Sequence, residues 1–101
     1  MYHKIMNEFS KSPRDICTVP IKSNTRKWFF VFVKDNTILI EPAHNKAPSS
    51  QVKRRKLPES ECEKILEIYH RRAKGESVSK EAQACTHSQV YWYGIFSEMN
   101  L

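Results

Sequence analysis

Four consecutive cations, Lys53-Arg54-Arg55-Lys56, form the segment of this 101-residue chain that is best suited to bind an anion. Lys and Arg side chains neutralise nucleic-acid phosphates and release condensed counterions, so binding that depends on them weakens as salt rises. If all four met phosphates, log affinity would fall against log salt with a slope of roughly −3 to −4, at about −0.9 per phosphate. The tetrad therefore predicts a phosphate-binding segment, and a solvated linker kept soluble by its charge is the alternative.

Charge is distributed unevenly along the chain. The first 58 residues carry 12 Lys and Arg and 4 Asp and Glu, whereas residues 59–101 carry 5 and 7. The net charge of +6 favours an anionic partner. We expect the acidic first turns of the second half to face away from any bound nucleic acid.

The other reactive side chains do not form a catalytic or metal-binding pattern. The three cysteines are widely spaced and include no CxxC pair, which indicates free thiols in a reducing compartment. The four histidines lack metal-ligand spacing. Asp35 and Glu41 could serve a metal-dependent nuclease. Such an enzyme would carry a Glu-x-Lys motif on the second strand, but here Glu41 is followed by Pro42-Ala43. We therefore predict a protein that is not an enzyme and has neither a metal nor a cofactor.

The hydropathy pattern bears on location. No apolar run approaches the ~18 residues that a membrane-spanning helix needs. The first eight residues lack the apolar stretch of a signal peptide. The sequence predicts a cytoplasmic protein with no membrane partner.

A β-hairpin is the clearest structural element in the sequence. Residues 27–33 are dense in aromatic and β-branched side chains, which is typical of a strand. Asp35-Asn36 tolerates positive φ and predicts a tight turn, after which residues 37–41 return as a second strand. Residues 16–19 are a candidate third strand, and residues 42–58 are predicted to be an exposed basic linker.

The remainder of the chain has the pattern of helices. Residues 59–74 carry an apolar stripe at helical spacing, and Gly75 is placed to end that helix. A second short helix would reach Cys85. A third would follow, beginning at either Thr86 or Ser88.

These elements predict an α+β fold in a single domain. Its parts would be a β-rich region over residues 1–41, the basic linker over 42–58 and a helical region over 59–101. An antiparallel hairpin, with two or three strands, would pack against a three-helix unit. The predicted core pairs Trp28, Phe30, Phe32, Ile38 and Ile40 with Ile65, Leu66, Tyr69, Trp92, Ile95 and Phe96.

Residues 59–99 resemble the helix-turn-helix modules of resolvase-like and transposase-like DNA-binding domains. The resemblance lies in the order of features: a Leu57-Pro58-Glu59 start, a basic turn before Gly75, then Ser77-Val78-Ser79 opening the next helix around Ala82. It implies a last helix that lies in the major groove with its N-terminal residues on base edges. The residues it implies in base contact are Ser88, Gln89, Val90 and Tyr93. Phosphate contacts would then come from the flanking cations Lys53, Arg54, Arg55, Lys56, Arg71, Arg72, Lys74 and Lys80.

Two functions follow as hypotheses. The first is a small nucleic-acid-binding protein that holds double-stranded DNA through the helix-turn-helix-like unit and the basic linker. The second is a protein-interaction module, or a homodimeric subunit of a larger assembly. The strand at residues 27–33 is apolar on both faces, and an uncovered apolar face marks a partner site.

Overall fold

A computed structural model describes residues 1–19, 26–49 and 52–101 of the chain. The fold is α+β, as predicted. In chain order the described elements are α1 Tyr2–Lys11, β1 Arg14–Cys17, β2 Trp28–Lys34, β3 Thr37–Pro42, β4 Arg55–Leu57, α2 Glu59–Ala73, α3 Ser79–Cys85 and α4 Gln89–Glu98.

The four described strands form one antiparallel sheet in the order β1-β2-β3-β4. The predicted hairpin is confirmed: Asp35 and Asn36 both have positive φ, 54° and 57°, as a two-residue turn with right-handed strand twist requires. The third strand is β1, which lies two residues earlier than the predicted 16–19. A fourth strand, β4, lies within the segment predicted to be a linker.

Helix α1 was not apparent from the sequence. Its buried residues, Tyr2, Ile5, Met6 and Phe9, recur at helical spacing and pack on the sheet. The Tyr2 hydroxyl donates to the carbonyl of Leu57 at 2.5 Å and accepts the Ile38 N–H at 2.9 Å. Burial raises the pKa of this hydroxyl. One side chain thus ties α1 to both β3 and β4.

The helices form two layers over one face of the sheet. Helices α1 and α4 pack on the strands, and α2 packs on both of them with α3 beside it. Helix α4 therefore has protein on two sides, and the residues from Tyr91 to Phe96 are all buried. A helix that is apolar all round is typical of such an interior position.

The helix boundaries agree closely with the prediction. Helix α2 ends at Ala73, and Gly75 has the positive φ (93°) of a helix stop. Helix α4 starts at Gln89 with Ser88 before it, which selects the later of the two predicted starts. Thr86 is extended, and its hydroxyl accepts the Ser88 N–H at 2.9 Å.

The predicted core is wrong for one strand. Phe29 and Val31 of β2 are fully buried against the helices, whereas the side chains of Trp28, Phe30 and Phe32 lie on the opposite face of the sheet. Successive side chains of a strand alternate between faces, so an error of one residue in the predicted inward positions moves every side chain of the strand to the other face. The predictions for β3 are confirmed, since Ile38 and Ile40 are fully buried.

Candidate nucleic-acid interface

Strand β4 directs Arg55 and Lys56 of the basic tetrad to opposite faces of the sheet. Lys56 pairs with Leu39 on the side of the sheet away from the helices, which we call the outer face. Arg55 pairs with Ile40 and points to the helices, where it donates to Ser88 Oγ at 3.1 Å. Its guanidinium lies 5.3 Å from the ring centroid of Tyr91. Arg55 is therefore engaged with the helices, whereas Lys56 is exposed on the outer face.

This division predicts different roles for adjacent arginines. Arg55→Gln should lower the free energy of unfolding by about 1–2 kcal/mol, because a charged hydrogen bond and a cation–π contact are lost together. Arg54→Gln is the matched control: it removes an exposed cation–π contact with Phe32, which contributes about 0.5–1 kcal/mol, and should therefore cost less than Arg55→Gln. Urea denaturation of both variants measures the difference. Equal effects would mean that β4 has a different register.

Three aromatic side chains form a row along β2 on the outer face. Trp28, Phe30 and Phe32 occupy alternate positions and are half-buried. Phe30 and Phe32 have ring centroids 5.9 Å apart. None of the three belongs to the hydrophobic core of the described residues. Leu39 of β3 lies opposite Phe32 and extends the apolar strip across the sheet.

Each of these rings has a basic or imidazole group above it. The Lys46 ammonium lies 5.7 Å from the Trp28 ring centroid. The Arg54 guanidinium lies 5.3 Å from that of Phe32. The His44 imidazole stacks on Phe30 with centroids 3.6 Å apart and planes 7° from parallel. The outer face thus combines aromatic rings with nitrogen-rich side chains.

The segment after β3 holds His44 in this position. The Asp15 carboxylate accepts backbone N–H bonds from His44, Asn45 and Lys46, at 2.7 to 3.1 Å. Burial would raise the pKa of Asp15, but these three hydrogen bonds outweigh burial and lower it. Their stabilising effect is complete above the ordinary aspartate pKa of about 3.9 and is lost as pH falls through the lower folded value. Nε2 of His44 also lies 2.6 Å from a carboxylate oxygen of Glu41.

The outer face has an excess of cations. A shallow depression at the hairpin end of the sheet is lined by Lys34, Arg54 and Lys56, together with Asp35, Thr37 and Leu39. The carboxylates of Asp15 and Glu41 are engaged with the segment after β3. The three cations that line the depression outnumber its single carboxylate, Asp35, so this end of the outer face attracts an approaching anion.

The predicted phosphate contacts on α2 have intramolecular partners. Arg71 forms ion pairs with Glu67, Glu76 and Glu81, the last through two hydrogen bonds of 2.8 Å. The hydrogen bonds to Glu81 and, to a smaller extent, to Glu76 raise the pKa of the Arg71 guanidinium above its ordinary value. Arg72 lies 4.5 Å from the ring centroid of Tyr93. Both guanidinium groups are used in holding the helices together.

The polar residues expected at the DNA groove are buried or half-buried. Ser88 and Tyr93 are each 6% exposed. Gln89 is half-buried, and its buried Oε1 has no hydrogen-bond partner among the described residues. Val90 is exposed, but it is apolar. As folded here, α4 does not present the polar surface that a recognition helix needs.

The thiols and the acidic groups offer no evident reaction centre. Cys62 is fully buried, and burial raises its pKa to about 11, which disfavours the nucleophilic thiolate. Cys17 and Cys85 are half-buried free thiols. Across residues 1–19, 26–49 and 52–101, no group of three or more His, Cys, Asp and Glu is placed to hold a metal ion.

Comparison of the chain with protein-family models, with curated proteins and with solved structures yields no match. In the described part of the chain, no helix has both the length and the apolar character needed to cross a membrane.

Sequence reasoning missed the aromatic row and His44, although part of the signal was present. The two-residue turn pairs Lys34 with Thr37, so Phe30 must lie beside Glu41 on the same face. Glu41 follows Leu39 by two residues on this face, and its charged carboxylate indicates that the face meets water. No comparable signal places the segment after β3 over that face.

Proposed function

We propose that the protein is a non-enzymatic nucleic-acid-binding protein whose outer sheet face contacts the phosphate backbone. The observation that carries this proposal is the row of outward aromatic rings bordered by Lys34, Lys46, Arg54 and Lys56. Cations beside aromatic rings suit nucleic acid, whose phosphates are negatively charged and whose flat bases can stack on the rings. No constellation of catalytic groups accompanies this surface in the described residues.

The separation of charge supports the same surface. Lys34, Arg54 and Lys56 lie on the outer face, whereas the acidic residues of α2 and α3 lie in the layer farthest from it. An approaching polyanion is attracted to one side of the molecule and repelled from the other. The sheet, rather than the helix-turn-helix-like unit, is therefore the surface on which the proposal rests. Helix α4 is enclosed and offers bases little to contact.

Neutralising the exposed cations of the tetrad should weaken binding. We expect the triple variant Lys53→Gln, Arg54→Gln, Lys56→Gln to lose about tenfold or more in affinity at low salt. Its log–log salt slope should become less negative by about 2 to 3, at about 0.7 to 0.9 per phosphate contact. Fluorescence anisotropy with labelled mixed-sequence oligonucleotides, at low salt and at about 0.2 M salt, measures both quantities.

The matched control removes the same charge from the helical side. The variant Lys64→Gln, Lys74→Gln, Lys80→Gln alters three exposed lysines of α2, α3 and their connection. It should keep the wild-type salt slope. Equal losses in the two triple variants would show that net charge alone drives binding and would remove the outer face from the proposal.

A protein-interaction role is the second candidate, because half-buried aromatic rings also suit a protein partner. A homodimer through the outer face is disfavoured by charge. A two-fold interface places the same patch of both copies together, so Arg54 and Lys56 of one copy would approach those of the other. Sedimentation velocity of the wild-type protein at high concentration tests this candidate.

A further inference from the structure

We propose that the outer face selects single-stranded over double-stranded nucleic acid, with unpaired bases stacking on Trp28, on Phe32 and on the His44 imidazole that covers Phe30. This inference rests on the proposed function and specifies its ligand. A cation contacts phosphates in either form of nucleic acid. An aromatic ring, in contrast, can stack only on a base whose face is free, and duplex bases are stacked on one another.

The geometry of the row suits a strand with separated bases. The rings project from alternate residues of one strand, about 6.7 Å apart along the backbone. The measured separation of the Phe30 and Phe32 ring centroids is 5.9 Å. Neighbouring positions in the row are thus far enough apart for each to hold its own base, with His44 providing the stacking surface at Phe30. Such a row would bind nucleic acid with little preference for base sequence, because every base has a π face.

His44 shows that this face accepts a stacked planar group. Its imidazole lies parallel to Phe30 at 3.6 Å, a stacking distance. The His44 side chain is 47% exposed, so the side of the imidazole away from Phe30 meets solvent. Bases stack on imidazole rings and on guanidinium planes as well as on aromatic hydrocarbons. His44 on Phe30 and Arg54 over Phe32 therefore extend the row toward the ligand.

The cations lie beside the rings, where a strand that stacks its bases would place its phosphates. Lys46 lies near Trp28 at one end of the row, and Lys34, Arg54 and Lys56 surround the depression at the other. Glu41 lies between these ends, but its carboxylate is engaged with His44. Asp15 is held by the backbone of the segment after β3. A strand lying along β2 thus meets cations at both ends of the aromatic row.

The test compares one labelled 12-nucleotide DNA strand of mixed sequence with the duplex it forms with its complement. Wild-type protein should bind the single strand at least about tenfold more tightly than the duplex. Trp28→Leu and Phe32→Leu should each weaken single-strand binding by about tenfold, since stacking contributes about 1–3 kcal/mol per base. Duplex binding should be unchanged in both variants.

Trp28→Tyr and Phe32→Tyr keep an aromatic ring and should retain most of the affinity, which separates loss of stacking from loss of folding. Val90→Ala is the apolar control, since Val90 is exposed at the start of α4 on the helical side. A second readout is tryptophan fluorescence. The chain has two tryptophans, and Trp92 is fully buried, so quenching by the added strand should report on Trp28 and disappear in Trp28→Leu.

The outcomes separate this inference from the proposed function. Equal binding of strand and duplex, unaffected by the leucine substitutions, would overturn the single-strand inference and leave phosphate binding standing. Absence of binding to either probe at low salt would overturn both. A dimer that dissociates in Trp28→Leu, with no oligonucleotide bound, would overturn both in favour of a protein interface.

Discussion

Replacing Phe29 by Ala is expected to remove much of the stability of the protein, whereas the same change at the adjacent Phe30 has a small effect. Phe29 is fully buried and makes an edge contact with Tyr91, with ring centroids 5.1 Å apart. Truncation of a buried Phe to Ala costs about 3–5 kcal/mol, against a total stability of about 5–15 kcal/mol for a domain. Phe30 lies on the outer face, where its ring contacts His44 and Phe32.

The measurement is urea denaturation followed by circular dichroism. We expect Phe30→Ala to cost about 1 kcal/mol, because the side chain is half-buried and the site can relax. Phe29→Leu is the control that restores an apolar side chain of similar volume, and it should recover most of the loss. A larger effect at Phe30 than at Phe29 would mean that β2 has the opposite register, and the aromatic row would then belong to the core.

Enlarging Gly94 should also destabilise the fold strongly, although alanine favours a helix. A Cβ atom at this position would lie 2.8 Å from the backbone oxygen of Cys17 and 3.0 Å from the Phe29 ring. The helix propensity gain from Gly to Ala is about 1 kcal/mol. Overpacking of a well-packed core costs about 1–3 kcal/mol and sometimes more. The clash involves strand backbone, which cannot rotate away, so we expect a net loss of about 1–2 kcal/mol for Gly94→Ala.

The cost at Gly94 should rise steeply with side-chain size. Gly94→Leu should prevent stable folding, because α4 would have to move away from β1. Gly75 provides the matched control. It has positive φ (93°) but open space around its Cβ position. Gly75→Ala and Gly75→Leu should therefore cost similar amounts, about 1–2 kcal/mol each, from backbone strain alone. Thermal unfolding of the four variants measures these losses of stability. Equal losses for Gly94→Ala and Gly94→Leu would contradict the close contact between α4 and β1.

The positions of Gly94 and the outer face are linked through β1. Asp15 lies on this strand and holds the backbone of residues 44–46 through three hydrogen bonds. Helix α4 packs on the other side of the same strand. The helical layer thus supports the segment that places His44 and Lys46 above the aromatic row, even though no residue of α4 contributes to that surface.

Local signals in the sequence were sufficient for the hairpin and for α2. Asp35-Asn36 tolerates positive φ, and strand-forming residues flank it on both sides, so the turn and the pairing follow from neighbours in the chain. The apolar stripe of residues 59–74 and the stop at Gly75 depend on interactions within four residues. The inward positions of Trp92, Ile95 and Phe96 were likewise predicted correctly.

The tertiary structure decided the features that carry the proposed function. An apolar strand such as β2 has no local signal for which face is covered, and only its partners on β3 distinguish Phe29 from Phe30. Strand β4 is three residues long and highly charged, so its pairing with β3 depends on contacts distant in sequence, including the bond from Tyr2 to Leu57. The sequence determined that a basic tetrad exists and that the chain forms an α+β fold. Long-range pairing decided that Arg55 supports the helices while Arg54 and Lys56 border the aromatic row, because alternation along a paired strand sends adjacent side chains to opposite faces.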